Sequence, residues 1–293
     1  MKLRLLFLIM LWCGTHKSAV NAEPPNSCHY NKLFVFGDSF SDLGEGYLDG
    51  NGPTAVAYFA HHLGIDLLPA NAAHSTGDSL DFAISGAGTG RGSGIIIDDA
   101  QLGTGMHNQV DHFHRMVREG HLRFNPANTL FFIAGGLNDD KLPNTVTVEN
   151  LTYVIKILYL SGARNFSIAL LPTAIPSFGR VGKRLNPLLS KLPAQVLPQL
   201  PNARIMLSHW GLYFDDVMLH SEQFGFTNTL EPCAGRAIFH ENPIPCDSPE
   251  THFYYHEGHP STGVHKIVGK NLYEELQHLC ENHNAHPKPE MTP

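Results

Sequence analysis

Apolar, β-rich runs recur along the chain at Leu33–Phe36, Thr129–Ala134, Phe166–Leu171 and Arg204–Leu207, each the length of one strand. Between them apolar positions fall at helical spacing over about 54–63, 108–119, 146–160, 185–199 and 210–223, with a last stretch from Ser261 to Leu279. This alternation predicts an α/β domain: a mainly parallel sheet with helices on both faces. A site in such a fold belongs at the carboxyl ends of the strands. Gly86 is followed by six more glycines up to Gly105, with no period. That stretch predicts an irregular loop near the site. Within it, Gly88-Thr89-Gly90-Arg91-Gly92 lacks the strand–turn–helix setting of a dinucleotide fingerprint.

The first strand leads straight into candidate chemistry. Leu33-Phe34-Val35-Phe36 is followed by Gly37-Asp38-Ser39-Phe40-Ser41-Asp42, a sharp turn with polar residues where a helix is expected to start. A serine there projects into the crevice beside N–H groups that favour negative charge, a placement that suits a nucleophile. The same pattern also fits an N-cap serine in an ordinary strand–helix turn.

Three further blocks turn the motif into a resemblance. Together with Phe36–Asp42, the stretches Asp81–Ala87, Gly136-Leu137-Asn138-Asp139 and His259-Pro260-Ser261-Thr262 follow in order across most of the chain. The sequence thereby resembles the GDSL esterases and lipases, or SGNH hydrolases. Asn51-Gly52-Pro53, Gly162-Ala163-Arg164 and Phe224-Gly225-Phe226 are similar to secreted bacterial members. The resemblance implies a flavodoxin-like three-layer fold. It also implies ester hydrolysis with Ser39 as nucleophile and His259 as base, and an oxyanion hole made by the Ser39 and Gly86 N–H groups with the Asn138 amide. No cofactor and no metal are expected.

The last block departs from the family pattern. The residue three before the histidine is usually an aspartate, which fixes the tautomer of the base; here it is His256. Three arrangements meet the need. His256 accepts the Nδ1 proton of His259, or Glu257, Asp247 or another acid supplies a carboxylate, or the enzyme runs as a Ser–His dyad with a backbone carbonyl as orienter.

His252, His256, His259 and His265 also raise a metal reading. His-Glu-Gly-His is one residue short of the zinc-protease spacing, and Gly258 and Pro260 do not suit a regular helix. A second group, His107, His112, His114 and His121, reads as a solvated helix face.

Composition narrows the setting. Residues 1–22 read as a secretory signal, with Lys2 and Arg4, an apolar core from Leu5 to Trp12 too short to span a membrane, and small residues before a cut after Ala22. The hydrolase domain is expected over 23–280, and the polar, Pro-rich 281–293 as a disordered tail. The chain carries a formal charge of −7, and loss of the signal removes only bases. Nucleic acid and anionic lipid surfaces are therefore poor partners. Outside the signal stand Cys28, Cys233, Cys246 and Cys280, an even set that favours two disulfides in an exported chain. The resemblance implies a Cys233–Cys246 bridge, which leaves Cys28 with Cys280; the other pairings stay open.

The expected substrate is an acyl ester of a lipid, a phospholipase A or lysophospholipase reaction with acyl transfer as a second outcome. Phe40, Ile95, Ile96, Ile97 and Phe178 are candidates to line an acyl channel, or else core residues. An acetyl esterase acting on polysaccharide is the alternative enzyme. A weakened binder of acyl chains or glycans is the reading from another class.

Overall fold

The computed structural model describes residues 29–285, with side chains through 281. Six strands form one parallel sheet: β1 (Lys32–Gly37), β2 (Leu67–Pro69), β3 (Ser79–Asp81), β6 (Thr129–Ala134), β7 (Asn165–Ala169) and β8 (Arg204–Ser208), in the order β2-β3-β1-β6-β7-β8. The numbers left out belong to two small antiparallel pairs, β4 (Ser93–Ile97) with β5 (Ala100–Thr104) and β9 (Tyr254–His256) with β10 (His259–Pro260).

Strands buried on both faces read as nearly continuous apolar runs, and β6 follows Thr129 with Leu-Phe-Phe-Ile-Ala, all six residues buried. Its adjacent phenylalanines point to opposite faces. Phe131 packs on Phe113 of α2 (Met106–Arg118), ring centroids 5.6 Å apart. Phe132 meets Phe59 of α1 (Ala55–His62) at 6.4 Å and Trp210 of α6 (Trp210–Leu219) at 6.5 Å. Each fully buried ring of this kind contributes about 2–3 kcal/mol of transfer free energy. The predicted three-layer α/β architecture is the one observed.

The remaining helices are α3 (Asn144–Leu160), α4 (Gly179–Leu189), α5 (Leu192–Val196) and α7 (Thr262–Ala285). Helix α7 buries the stripe Val264, His265, Val268, Leu272 and Leu276. It lies close on α1 because Gly269 has no side chain. A Cβ there would sit 2.5 Å from Tyr58 Cβ and 2.6 Å from the Ala55 carbonyl oxygen.

Several expectations change. The helix predicted over 185–199 starts at Gly179 and breaks after Leu189, and Pro193 opens the separate short helix α5. The expected irregular stretch 86–105 contains the β4–β5 hairpin, whose turn places Asp98 and Asp99 at positive φ. Strands β2 and β3 have only three residues each, too few for their pattern to stand out. The Cys233–Cys246 disulfide is present. Cys28, the signal segment and the tail beyond 285 lie outside the described residues.

Candidate active site

Three groups of the expected site come from the carboxyl ends of three neighbouring strands. Ser39 follows β1, Gly86 follows β3 and Asn138 follows β6. Strand order reverses around β1, and a doubly wound sheet opens its crevice at such a point.

Beyond Ser39 the chain makes a single turn, not the expected helix. The N–H groups of Ser41 and Asp42 both donate to the Asp38 carbonyl, at 2.9 and 3.0 Å. The buried Asp42 carboxylate then competes for the backbone. It accepts N–H bonds from Gly44 (2.8 Å), Gly46 (3.2 Å) and Tyr47 (2.9 Å), wrapping the chain around itself. A fourth bond, from Ser85 N–H at 2.7 Å, ties this turn to the Gly86 segment. Burial pushes Asp42 up to about 6, against the pull of these donors.

Gly86 has φ +78°, and a Cβ there would come within 3.3 Å of Gly103 N on β5. The position needs glycine twice over, for its backbone and for the close seat of the hairpin. Asn138 is fixed by its Nδ2 donating to the Ala87 carbonyl at 3.0 Å, which leaves its second N–H hydrogen free. Next to it, Asp139 accepts from Thr89 N–H (3.0 Å) and Thr147 Oγ1 (2.8 Å) and contacts Thr89 Oγ1. Buried acids thus cross-link the three loops. Among the described residues, the N–H groups of Ser39 and Gly86 have no intrachain acceptor.

His259 reaches the same place from β10. Its Nε2 lies 2.8 Å from Ser39 Oγ. Its ring packs against Phe40 at 5.6 Å and Phe178 at 6.1 Å. Phe40 is fully buried and Phe178 packs against the core, so both support the His259 ring instead of lining a channel.

Nδ1 of His259 is 2.9 Å from the Glu257 carbonyl oxygen and 2.7 Å from Arg236 Nη2. His256 does not take that contact: its Nδ1 is 2.7 Å from Asp49 Oδ1, and its ring stacks on Tyr47. Of the acids considered, Glu257 offers its carbonyl, and Asp247 is exposed without contact to His259. The carboxylate at hand is Asp49. Its Oδ2 lies 3.3 Å from His259 Nε2, and Arg236 Nε donates to both its oxygens at 2.9 and 3.0 Å. Burial raises the Asp49 carboxyl, but His256, His259 and Arg236 outweigh it and hold the group below its ordinary value. Burial lowers His259 most, with Arg236 and His256 adding to it and Asp49 and the Glu257 carbonyl opposing.

Asp49 and Arg236 were not singled out from sequence. They lie 187 residues apart, and no local pattern pairs them. The available signals were the neighbouring Asn51-Gly52-Pro53 block and the place of Arg236 inside the Cys233–Cys246 loop. That loop is pinned to β9 by Cys233 N–H to the Tyr254 carbonyl (3.2 Å) and Ala234 N–H to the Tyr255 carbonyl (2.8 Å).

A cavity of about 580 Å³ brings Ser39, Gly86, Asn138 and His259 together under Ile95, Leu102, Tyr47 and Phe239. Arg236 and Asp49 also line it. Its size suits a small organic ligand or one acyl chain. Of the candidate channel isoleucines, Ile95 faces the cavity and Ile96 points to solvent, 74 % exposed.

The histidine groups divide differently. His265 is buried on α7, and His252 packs at the disulfide loop. Among the described residues, one set could converge on a metal, Cys233, Cys246 and His252, and its two sulfurs are already bonded to each other. The second group is no solvated face, His121 excepted. His107 packs against Tyr153 of α3 with ring centroids 4.1 Å apart, His114 bonds Ser161 Oγ at 2.8 Å, and His112 packs on Phe82.

The chain is 24 % identical over 279 residues to the thermolabile hemolysin of Vibrio parahaemolyticus, covering 86 % of this chain and 65 % of that relative. Among solved structures it is similar to a member of the lipolytic G-D-S-L family from Veillonella parvula. There the identity is 13 %, with 83 % of this chain and 96 % of that one covered and a TM-score of 0.44. It is also similar to an alpha/beta hydrolase from the metagenome of Lake Arreo, at 12 % identity, 84 % and 95 % coverage and a TM-score of 0.45. A sequence model of the GDSL-like lipase/acylhydrolase family matches residues 33–272, most of the domain and all four blocks, and the chain belongs to that family.

Proposed function

We propose that this protein cleaves carboxylic esters of lipids, a phospholipase A or lysophospholipase reaction, with Ser39 as nucleophile and His259 as base. One observation carries the reading: the 2.8 Å approach of His259 Nε2 to Ser39 Oγ, in a cavity that also holds Gly86 and Asn138.

Ser39 Oγ attacks the ester carbonyl while Nε2 takes its proton. The oxyanion accepts from the N–H groups of Ser39 and Gly86 and from the second Nδ2 hydrogen of Asn138. Loss of one such donor costs about 3–4 kcal/mol of barrier. His259 returns the proton to the leaving alcohol. It then activates the water, or the acceptor alcohol, that takes the acyl group from Ser39.

The base form requires the proton on Nδ1, donated to the Glu257 carbonyl. That carbonyl fills the orienting place of the usual aspartate without its charge, which supports the dyad arrangement. The apolar lining from Ile95, Leu102 and Phe239 favours an acyl chain over an acetylated sugar. The disulfide, together with the expected signal at 1–22, supports action outside the cytoplasm.

The test measures fatty-acid release from a lysophospholipid beside acetate release from p-nitrophenyl acetate, with Ser39→Ala as control. Lipid turnover that vanishes in Ser39→Ala supports the reading. Acetate release alone shifts it to a short-chain esterase, and turnover that survives Ser39→Ala sinks it.

A further inference from the structure

The contacts of His259 specify where its one proton sits. In the form that can act as base, Nδ1–H points at the Glu257 carbonyl and Nε2 is bare. Two neighbours oppose that form. Arg236 Nη2, a donor only, lies 2.7 Å from Nδ1, so two donors face each other. Asp49 Oδ2 lies 3.3 Å from Nε2, so a carboxylate faces a lone pair.

Moving the proton to Nε2 satisfies both ring nitrogens. Nη2 has two hydrogens: one goes to the Glu257 carbonyl at 2.6 Å, the other to the bare Nδ1. Nε2–H then points to Ser39 Oγ and, at the long end of hydrogen bonding, to Asp49 Oδ2. Asp49 holds this arrangement by binding Arg236 Nε through both oxygens and accepting His256 Nδ1–H on Oδ1. Arg236 and Asp49 bury nearly all of their side chains, at 11 % and 8 % exposure, so the contacts are poorly screened.

Arg236 also lines the cavity, where it is the one arginine or lysine among the described residues. A guanidinium there is a bidentate partner for phosphate. We propose that Arg236 and Asp49 latch the free enzyme in the tautomer of His259 that cannot take the Ser39 proton. A phosphate group on the ester substrate releases the latch by drawing the guanidinium off Nδ1. On release Nδ1 takes a proton from water and Nε2 gives one up, so no net proton is consumed. Arg236 is thus a positioning residue that ties activation to the substrate headgroup. The proposal rests on Ser39 and His259 being nucleophile and base.

Nitrogen-15 NMR of the free wild-type protein with labelled histidine reads the tautomer directly, without turnover or mutation. The latch requires a bare Nδ1 and a protonated Nε2 on His259; the opposite pattern overturns it. Dodecylphosphocholine, a phosphate amphiphile without an ester, should exchange the two signals, whereas dodecyl maltoside should not. Exchange by both, or by neither, overturns headgroup release.

In kinetics, Arg236→Gln should raise turnover of a monoacylglycerol about ten- to hundredfold, the factor for one charge-assisted hydrogen bond. It should also abolish the preference for lysophosphatidylcholine over monoacylglycerol. A parallel fall on both substrates would assign Arg236 a merely structural role. Failure of the hydrolase reading is distinct, because it shows as turnover that persists in Ser39→Ala.

Discussion

His265 offers a sharp test of how the site is supported. It is buried on α7, and its Nδ1 accepts the Ala55 N–H at 3.1 Å. That donor is one of the first four of α1, which no earlier turn can satisfy. Thr54, the N-cap residue, makes no capping bond, because its hydroxyl is given to the Ser41 carbonyl. A side chain from the last helix therefore caps the first.

Burial holds His265 neutral and pushes its pKa down to about 3, with a smaller contribution from His259. The unfolded chain has the ordinary histidine value near 6.5. The stability that neutral His265 contributes is present above that value. As pH falls from 6.5 toward 3, the unfolded state binds a proton that the folded state refuses, at about 1.4 kcal/mol per pH unit. By pH 5 the loss is about 2 kcal/mol.

In His265→Asn the Oδ1 atom can still accept the Ala55 N–H, but the group no longer titrates. The ring contacts with Phe214 at 5.2 Å and Phe40 at 6.1 Å are lost, at a cost of about 2–3 kcal/mol at pH 7.5. Urea unfolding at pH 7.5 and 5.0 should show that deficit narrowing by about 2 kcal/mol at the lower pH. Asp38, Asp42 and Asp81, all raised by burial, titrate in both proteins and cancel in the comparison. A deficit equal at the two pH values would refute the argument.

Asn138→Ala should lower kcat on a lysophospholipid by about 10²–10³-fold with KM changed less than threefold, as expected for a donor that strengthens in the transition state. A matched rise in KM would place Asn138 in substrate binding instead. The acid limb of kcat/KM should have its midpoint below the ordinary histidine value, because burial lowers His259 and the proposed mechanism needs its neutral imidazole. A midpoint above about 6.5 in a pH–rate profile would contradict this.

Much of this was legible in the chain because it is local. Leu33–Phe36 and Leu130–Ala134 are apolar at every position, so they announced buried strands. The turn after Phe36 announced a strand-end serine. Helix starts and breaks were less legible, since Gly179 begins α4 through a close approach to the Thr173 carbonyl that no spacing reveals. The Gly86–Gly105 hairpin hid because glycine dilutes the alternation that marks a strand. The surroundings of His259 were least legible. Asp49, Arg236 and the Glu257 carbonyl meet only in three dimensions, and a backbone oxygen has no sequence signature.

The separation of 220 in sequence between Ser39 and His259 also sets, on the proposed mechanism, when the protein becomes chemically competent. On the proposed mechanism the nucleophile Ser39 is made early in the domain, and the base His259 with its carbonyl partner late. A ribosome-bound or truncated chain ending before β10 holds Ser39 without the imidazole that contacts it. On that mechanism the order of synthesis keeps an unfinished chain inert toward esters.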